Sequence, residues 1–301
     1  MRKAKAIKDA YIRDKTERCV SQIESEDAKG QQQQPQSALH SVLLRERDVA
    51  AKEGRPPAYC RGGIADEFFG FMIAGHDTSA TALAWGVKLL ADHPESQEEL
   101  RRKLRAALPD AAREKRAPAY AELAAMHVPY LNAVVEEVLR YANTIAFVVR
   151  RAQIDTLVLG RHIPKGTDVF LMANGAGYLE PSMPVADSER SPGARGSKAL
   201  TGKWDDADIG MFRPERWLKT QENTGADVFD PVAGPTLAFG LGPRGCFGKR
   251  LAVQSLKLQF ALLIWHLNLL KCPEDLSGYN AVQRFAREPT HCYVRLTRAS
   301  F

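Results

Sequence analysis

The chain has 301 residues, 45% hydrophobic and 26% charged, a globular composition with enough length to bury a large core. Its formal charge of +6 comes from Lys and Arg scattered along helical stretches, with no basic block interleaved with aromatics, which argues against nucleic acid as a partner. The five cysteines, at 19, 60, 246, 272 and 292, form no CxxC pair, so a disulfide framework is not expected and a reducing compartment fits better.

Residues 1–27 read as a charged helix. They carry Asp9, Asp14 and Glu17 among the bases and lack the apolar centre of a targeting signal. Gly30 and a Gln-rich linker over 31–36 follow, then a short helix over 37–51 that ends before a loop at 53–57. Gly62-Gly63 open a long helix over 64–92. Pro94 starts another over 95–108, where opposite charges at helical spacing mark a solvated face. After a loop holding Pro109 and Pro118, a helix is predicted over 129–141 with proline in its first turn. Beyond Asn143 the texture changes. Short β-rich runs at 145–149, 156–159, 162–163 and 169–172, bounded by Gly160, Pro164 and Gly166, suggest a small sheet of hairpins. Residues 178–208 read as irregular, with a Ser/Gly/Arg surface loop at 188–203. A long helix follows Cys246 and is expected to end near residue 270, and 293–296 reads as a last strand. The most apolar run, 260–270, is broken by His266 and Asn268 and is too short to cross a membrane. The expected fold is mainly α with a small segregated β-sheet, one domain over 1–301.

The most specific feature is the run Phe239-Gly240-Leu241-Gly242-Pro243-Arg244-Gly245-Cys246-Phe247-Gly248. A cysteine on a glycine loop at a helix N-terminus has its thiolate favoured by the helix dipole and nearby backbone N–H groups. Gly242 and Gly248 let the backbone approach a flat partner, and Arg244 offers a fork of donors to a carboxylate. Arg244, Lys249 and Arg250 make the loop's surroundings basic. That surface is equally a steering field for an acidic protein and an ordinary solvated helix start.

Two more motifs lie upstream. On the long helix, Phe71, Ala74, Gly75, Thr78 and Ala82 share one face, small from its middle onward, with Asp77 beside Thr78. Thr78 is placed to bond back to the Ala74 carbonyl or, if that bond opens, to a bound water or dioxygen, and Asp77 to relay protons. Glu137 and Arg140 stand at i, i+3 among apolar neighbours, which implies a partly buried pair, with Glu136 as the competing partner. Isolated His76, His162 and His266 are not expected to be metal ligands.

Phe-x-x-Gly-x-Arg-x-Cys-x-Gly resembles the haem-ligand loop of the cytochrome P450 family, with every defining position filled. Ala74-Gly75-His76-Asp77-Thr78-Ser79 resembles that family's oxygen-activation motif, and Glu137 to Arg140 its Glu-x-x-Arg motif. Phe212-Arg213-Pro214-Glu215-Arg216-Trp217 resembles its Phe-x-Pro-Glu-Arg-Trp stretch. The resemblance implies haem b, with Cys246 as axial ligand and Arg244, Arg150, Phe239, Gly248 and Ala74 around the cofactor. Arg151 beside Arg150 competes for the propionate role. Thr78 is assigned to hydrogen-bonding dioxygen, Asp77 to proton delivery, and Arg216 to completing the Glu137–Arg140 network. The implied function is monooxygenation of a hydrophobic small molecule by O2, with electrons from an NADPH-dependent flavoprotein reductase. Phe68, Phe71, Met72 and residues 145–149 face the substrate by the same analogy. The Gln-rich linker and inserted loop look like filamentous-fungal members, hence secondary metabolism. Such members are usually bound to the endoplasmic reticulum with the catalytic part in the cytosol.

The resemblance covers the C-terminal portion of the family fold, with its N-terminal helices and anchor missing. A proline common soon after the Glu-x-x-Arg arginine is absent. The alternative expectation is therefore a truncated, catalytically silent haem-binding or scaffold protein.

Overall fold

A computed structural model of the chain describes residues 2–29, 34–60 and 62–301. Residues 31–33 of the expected linker lie outside this set; 34–36 carry no regular structure. The chain divides into two compact units, Met1–His76 and Asp77–Phe301.

The first unit contains α1 (Arg2–Ala28), α2 (Ala38–Lys52) and the opening half of α3 (Gly62–Asp92). Ser37 caps α2, its hydroxyl accepting the His40 N–H at 3.1 Å, which satisfies one of the orphan donors of the first turn. Ile23, Leu39, Leu43 and Leu44 form the unit's small core, flanked by Cys19, Val20, Tyr59, Ile64 and Phe68.

In the second unit the rest of α3 packs with α4 (Pro94–Ala107), α7 (Pro129–Ala142) and α9 (Lys249–His266). Trp85, Leu89 and Leu90 of α3, Leu100 and Leu104 of α4, Val134 and Val138 of α7, and Phe260 and Ile264 of α9 are all buried. Gly86 lets α3 and α9 meet closely, because a Cβ there would collide with the Phe260 ring. Proline at the first position starts both α4 and α7 as expected, and Asn143 ends α7 in the left-handed conformation at φ 43°.

Several elements differ from the sequence reading. The loop after α4 holds two short helices, α5 (Pro109–Arg113) and α6 (Tyr120–Ala125). The expected surface loop contains α8 (Pro192–Ala199), started by Ser191 as cap and Pro192 in the first turn, with no buried residue. α9 stops at His266, short of residue 270. Leu267–Leu270 instead forms β7, paired antiparallel with β10 (Arg295–Arg298). The reason lies on α4. The buried Arg101 donates to the carbonyls of Ile264 and Leu267 at 3.1 and 2.9 Å, satisfying the helix end. Buried Gln97 then bonds both the N–H and the C=O of Leu269, each at 2.9 Å.

The remaining strands form separate two-stranded ladders. β1 (Phe147–Arg151) pairs with β4 (Asp168–Met172), and β2 (Thr156–Val158) with β3 (Arg161–Ile163). β5 (Leu218–Thr220) pairs with β6 (Asp227–Phe229), and β8 (Ala281–Gln283) with β9 (Arg287–Pro289). The β2–β3 turn uses Leu159 at φ 49° and Gly160 at φ 72°, both left-handed, as a two-residue hairpin requires. No helix among the described residues is long and apolar enough to cross a membrane.

Candidate active site

Cys246 is a free, exposed thiol three residues before the start of α9. The loop that presents it is held by its own backbone. Its N–H donates to the Phe239 carbonyl at 2.7 Å, and Gly245 N–H to the Gly242 carbonyl at 2.9 Å, closing a 3-10 turn over Gly242–Arg244. Gly240 and Gly242 adopt φ of 64° and 69°, positions where a Cβ would be strained. Gly248 is the N-cap of α9. Phe239 is half-buried against the main core, which anchors one end of the loop, and Lys249 Nζ stands 5.6 Å from its ring centroid.

Around the thiol the surface is open and apolar: Leu241 is 73% exposed, Phe247 93% and Leu251 76%. Arg244 is exposed and makes no hydrogen bond or ion pair among the described residues. The choice between Arg150 and Arg151 gains a physical basis. Arg151 lies opposite Asp168 in the β1–β4 register and is committed to it by two bonds of 2.7 and 2.8 Å. Arg150 donates only to the neighbouring Val149 carbonyl at 2.9 Å, which leaves most of its guanidinium donors unused.

Thr78 and Asp77 are half-buried on α3, and Ala74 and Gly75 one turn earlier are exposed. A Cβ on Gly75 would meet no heavy atom within 4 Å, so that face of the helix is open to a flat group.

On α7 the Glu137–Arg140 pair is more deeply buried than the sequence implied, with side chains 0% and 1% exposed and 2.7 Å apart. Glu137 also accepts from Arg216 Nε at 3.2 Å, from the Arg213 N–H at 2.8 Å and from Trp217 Nε1 at 2.9 Å. Arg140 donates to the carbonyls of Tyr178, Ile209 and Met211, and Arg216 to the Asp208 carboxylate at 2.8 Å. Sequence reasoning placed Arg216 here but missed Trp217 and Asp208. The Trp217 signal lay in its adjacency to Arg216; nothing in the pattern marked Asp208. Glu136 forms no bond to Arg140. It is half-buried, and burial pushes its carboxyl above the usual range, opposed by the charge of Lys249 at the head of α9. No group of three or more potential metal-binding side chains occurs among the described residues.

An exposed thiol on a glycine loop in an apolar surround suits a mostly apolar ligand bearing a metal that takes sulfur. The cytochrome P450 family profile covers residues 1–180 and 204–285, and the chain belongs to that family. It is 38% identical to the cytochrome P450 monooxygenase TRI13 of Fusarium sporotrichioides, over 99% of this chain and 52% of that one. It is 37% identical to the Hps1-dma1 cluster cytochrome P450 monooxygenase cyp3.1 of Dothistroma septosporum, over 96% of each. With the cytochrome P450 monooxygenase xilC of Penicillium crustosum it shares 36% over 96% of this chain and 48% of the other. The chain thus spans about half the length of TRI13 and xilC and nearly all of cyp3.1. A crystal structure of a cytochrome P450, CYP102L1, superposes with a TM-score of 0.66 at 21% identity, covering 99% of this chain and 57% of that one.

Proposed function

We propose that this chain carries the haem-thiolate centre of a monooxygenase acting on a hydrophobic small molecule. The observation that carries the reading is the Cys246 loop, an exposed thiol fixed by backbone bonds at the head of a core helix. Haem is the family's cofactor, and the residues present fit it. Cys246 Sγ would hold the iron, Arg244 and Arg150 would meet the propionates, and Phe239 and Gly248 would line the cofactor, to which the family resemblance adds Ala74. When bound, haem supplies the iron at which O2 is reduced and one of its atoms transferred.

The protein's part is to hold and to move protons. The loop's own backbone holds the sulfur, through the Cys246 N–H bond to the Phe239 carbonyl, with Phe239 packed against the main core. Thr78 would donate its hydroxyl hydrogen bond to the reacting oxygen, and Asp77 would pass protons inward from solvent. A flavoprotein reductase would supply the two electrons from NADPH that, with two protons, balance the release of the second oxygen atom as water. Residues 145–149, with Phe147 and Val149 exposed, would supply apolar surface for the substrate. The relatives' names, one of them that of a gene cluster, support a place in fungal secondary metabolism.

A reduced, CO-bound spectrum with the signature of thiolate ligation, followed by product formation with NADPH and a flavoprotein reductase, tests the reading. Haem-loaded protein that draws electrons yet forms no product across a panel of hydrophobic substrates would favour the silent alternative. The exposed apolar face of the β1–β4 ladder (Phe147, Val149, Phe170 and Met172) keeps that second reading alive, because open apolar surface does not exclude water from the reaction.

A further inference from the structure

Arg287, beside the turn of the β8–β9 hairpin, is held at three points without a counter-charge. Its N–H donates to the Thr144 carbonyl at 2.8 Å, its carbonyl accepts from Trp85 Nε1 at 2.9 Å, and its Nη1 donates to the Ala142 carbonyl at 3.1 Å. The half-buried guanidinium lies 4.9 Å over the ring of Trp85, itself buried on α3. A cation in such surroundings normally meets a carboxylate, because taking it out of water unpaired is costly. Arg287 meets none among the described residues. The acid next to it in sequence, Glu288, pairs with Arg284 at 3.5 Å. Burial lowers the guanidinium's pKa from its ordinary value, with no neighbouring acid to offset it. Apart from the Ala142 bond, its side-chain donors have no protein acceptor among the described residues.

A second orphan donor stands beside it. Asn143 lies between Ala142 and Thr144, the two residues whose carbonyls Arg287 holds. It is 2% exposed, and its Nδ2 is buried with no acceptor. An unmet buried donor is destabilising, and the local backbone does not call for it: the turn at φ 43° is one that glycine makes at least as readily. One cationic fork backed by an aromatic face and one amide, both lacking an acceptor, make the donor set of a carboxylate site. The place suits the proposed chemistry. The apolar run at 145–149 begins two residues after Asn143, and Thr78 lies seven residues before Trp85, about 10 Å along α3.

We propose that Arg287 and Asn143 form a carboxylate-recognition subsite, so that the substrate is an apolar acid. Its carboxylate sits on the Arg287 fork and the Asn143 amide, and its hydrocarbon body lies over residues 145–149. The inference rests on the monooxygenase reading of the Cys246 loop and names the substrate class within it.

Two azoles that differ only at their far end test it on the haem-loaded chain: 10-(imidazol-1-yl)decanoic acid and 1-decylimidazole, each titrated by the shift of the Soret band. Wild-type protein is expected to bind the acid about tenfold more tightly than the neutral probe. Arg287→Gln, which keeps N–H donors but not the charge, should bring the two within about twofold. Asn143→Gly, which keeps the left-handed turn, should lower the preference about threefold. Affinity for 1-decylimidazole and haem content should match wild type in both variants. Equal affinities in wild type would overturn the subsite. So would variants that weaken both azoles alike, the result of a purely structural role. A fall in haem content with the preference kept would overturn it too, giving Arg287 to a propionate instead. Melting of the full chain needs no haem signal and separates the subsite from the reading it rests on. Decanoate at submicellar concentration should raise Tm more than decan-1-ol does, and Arg287→Gln should erase the difference. Wild-type protein that gives no azole shift but keeps this difference overturns the haem reading and supports the subsite; no difference in either assay overturns the subsite.

Discussion

The roles proposed for Cys246 and Thr78 differ, and single substitutions separate them. Cys246→Ala should abolish thiolate-ligated haem, since none of the other free cysteines, at 19, 60, 272 and 292, sits in a comparable glycine loop. A reduced-CO spectrum that keeps the thiolate signature in the variant would refute the assignment. Cys246→His should retain haem while losing turnover, because imidazole does not donate electron density to oxygen as thiolate does. Thr78→Ala should leave haem content and substrate binding nearly unchanged. Its deficit belongs to a hydrogen bond that matters only once oxygen is present. Product per NADPH should fall about tenfold, the scale of one lost hydrogen bond of about 1.4 kcal/mol, with peroxide rising in its place. Coupling equal to wild type would remove Thr78 from the proton path.

At the scale of elements, α7 and α9 are held by contacts of very different legibility. Arg140→Ala leaves Glu137 buried with Arg216, Arg213 N–H and Trp217 as remaining partners, and strips the carbonyls of Tyr178 and Ile209 of their side-chain donor. Breaking such a pair costs on the order of 3–5 kcal/mol, so the variant should unfold at markedly lower denaturant and lose haem before it loses chemistry. Wild-type melting in a soluble, haem-loaded Arg140→Ala protein would contradict this. Gly86→Ala forces a methyl into the Phe260 ring across the α3–α9 contact and should cost roughly 1–3 kcal/mol, read as a lowered Tm. The i, i+3 spacing and apolar surroundings of Glu137 made its burial readable in the chain. The end of α9 was not readable, because it is decided by Arg101 and Gln97 from a helix more than 160 residues earlier. The burial of Lys88 was hidden for the same reason: it reads as one more charge on a helix until Ser277 and Tyr279 are placed against it. Local signals such as proline at a first turn or glycine before a helix survive in isolation. Pairings between distant segments do not.

For the whole molecule, the exposed residues set the expectation. Phe147, Val149, Phe170 and Met172 lie together on one face of β1–β4, all exposed. Continuous apolar surface of this kind is uncommon on a monomer that stays in solution. The 301-residue chain expressed alone should therefore be poorly soluble or haem-poor, and its turnover with a reductase negligible. Haem stoichiometry from the pyridine haemochrome and sedimentation of the purified chain measure both. A monodisperse, fully loaded and active 301-residue protein would show that these faces are covered in a way the two units do not reveal separately.

The internal stretch outside the family match, residues 181–203, includes α8, none of whose residues is buried. The chain rejoins its core abruptly. Gly202 N–H donates to the Val232 carbonyl at 2.8 Å, a Cβ on Gly202 would strike the Ala233 carbonyl, and Trp204 Nε1 donates to the Pro235 carbonyl at 3.0 Å. A segment whose hydrogen bonds from residue 181 to 201 all close within itself, with a sharply defined point of return at Gly202, behaves as a splice cassette. A reporter domain or affinity tag grafted between residues 190 and 200 should leave the thiol loop and the hairpin untouched, provided Gly202 is kept. The same freedom gives evolution a place to vary surface and length without renegotiating the core.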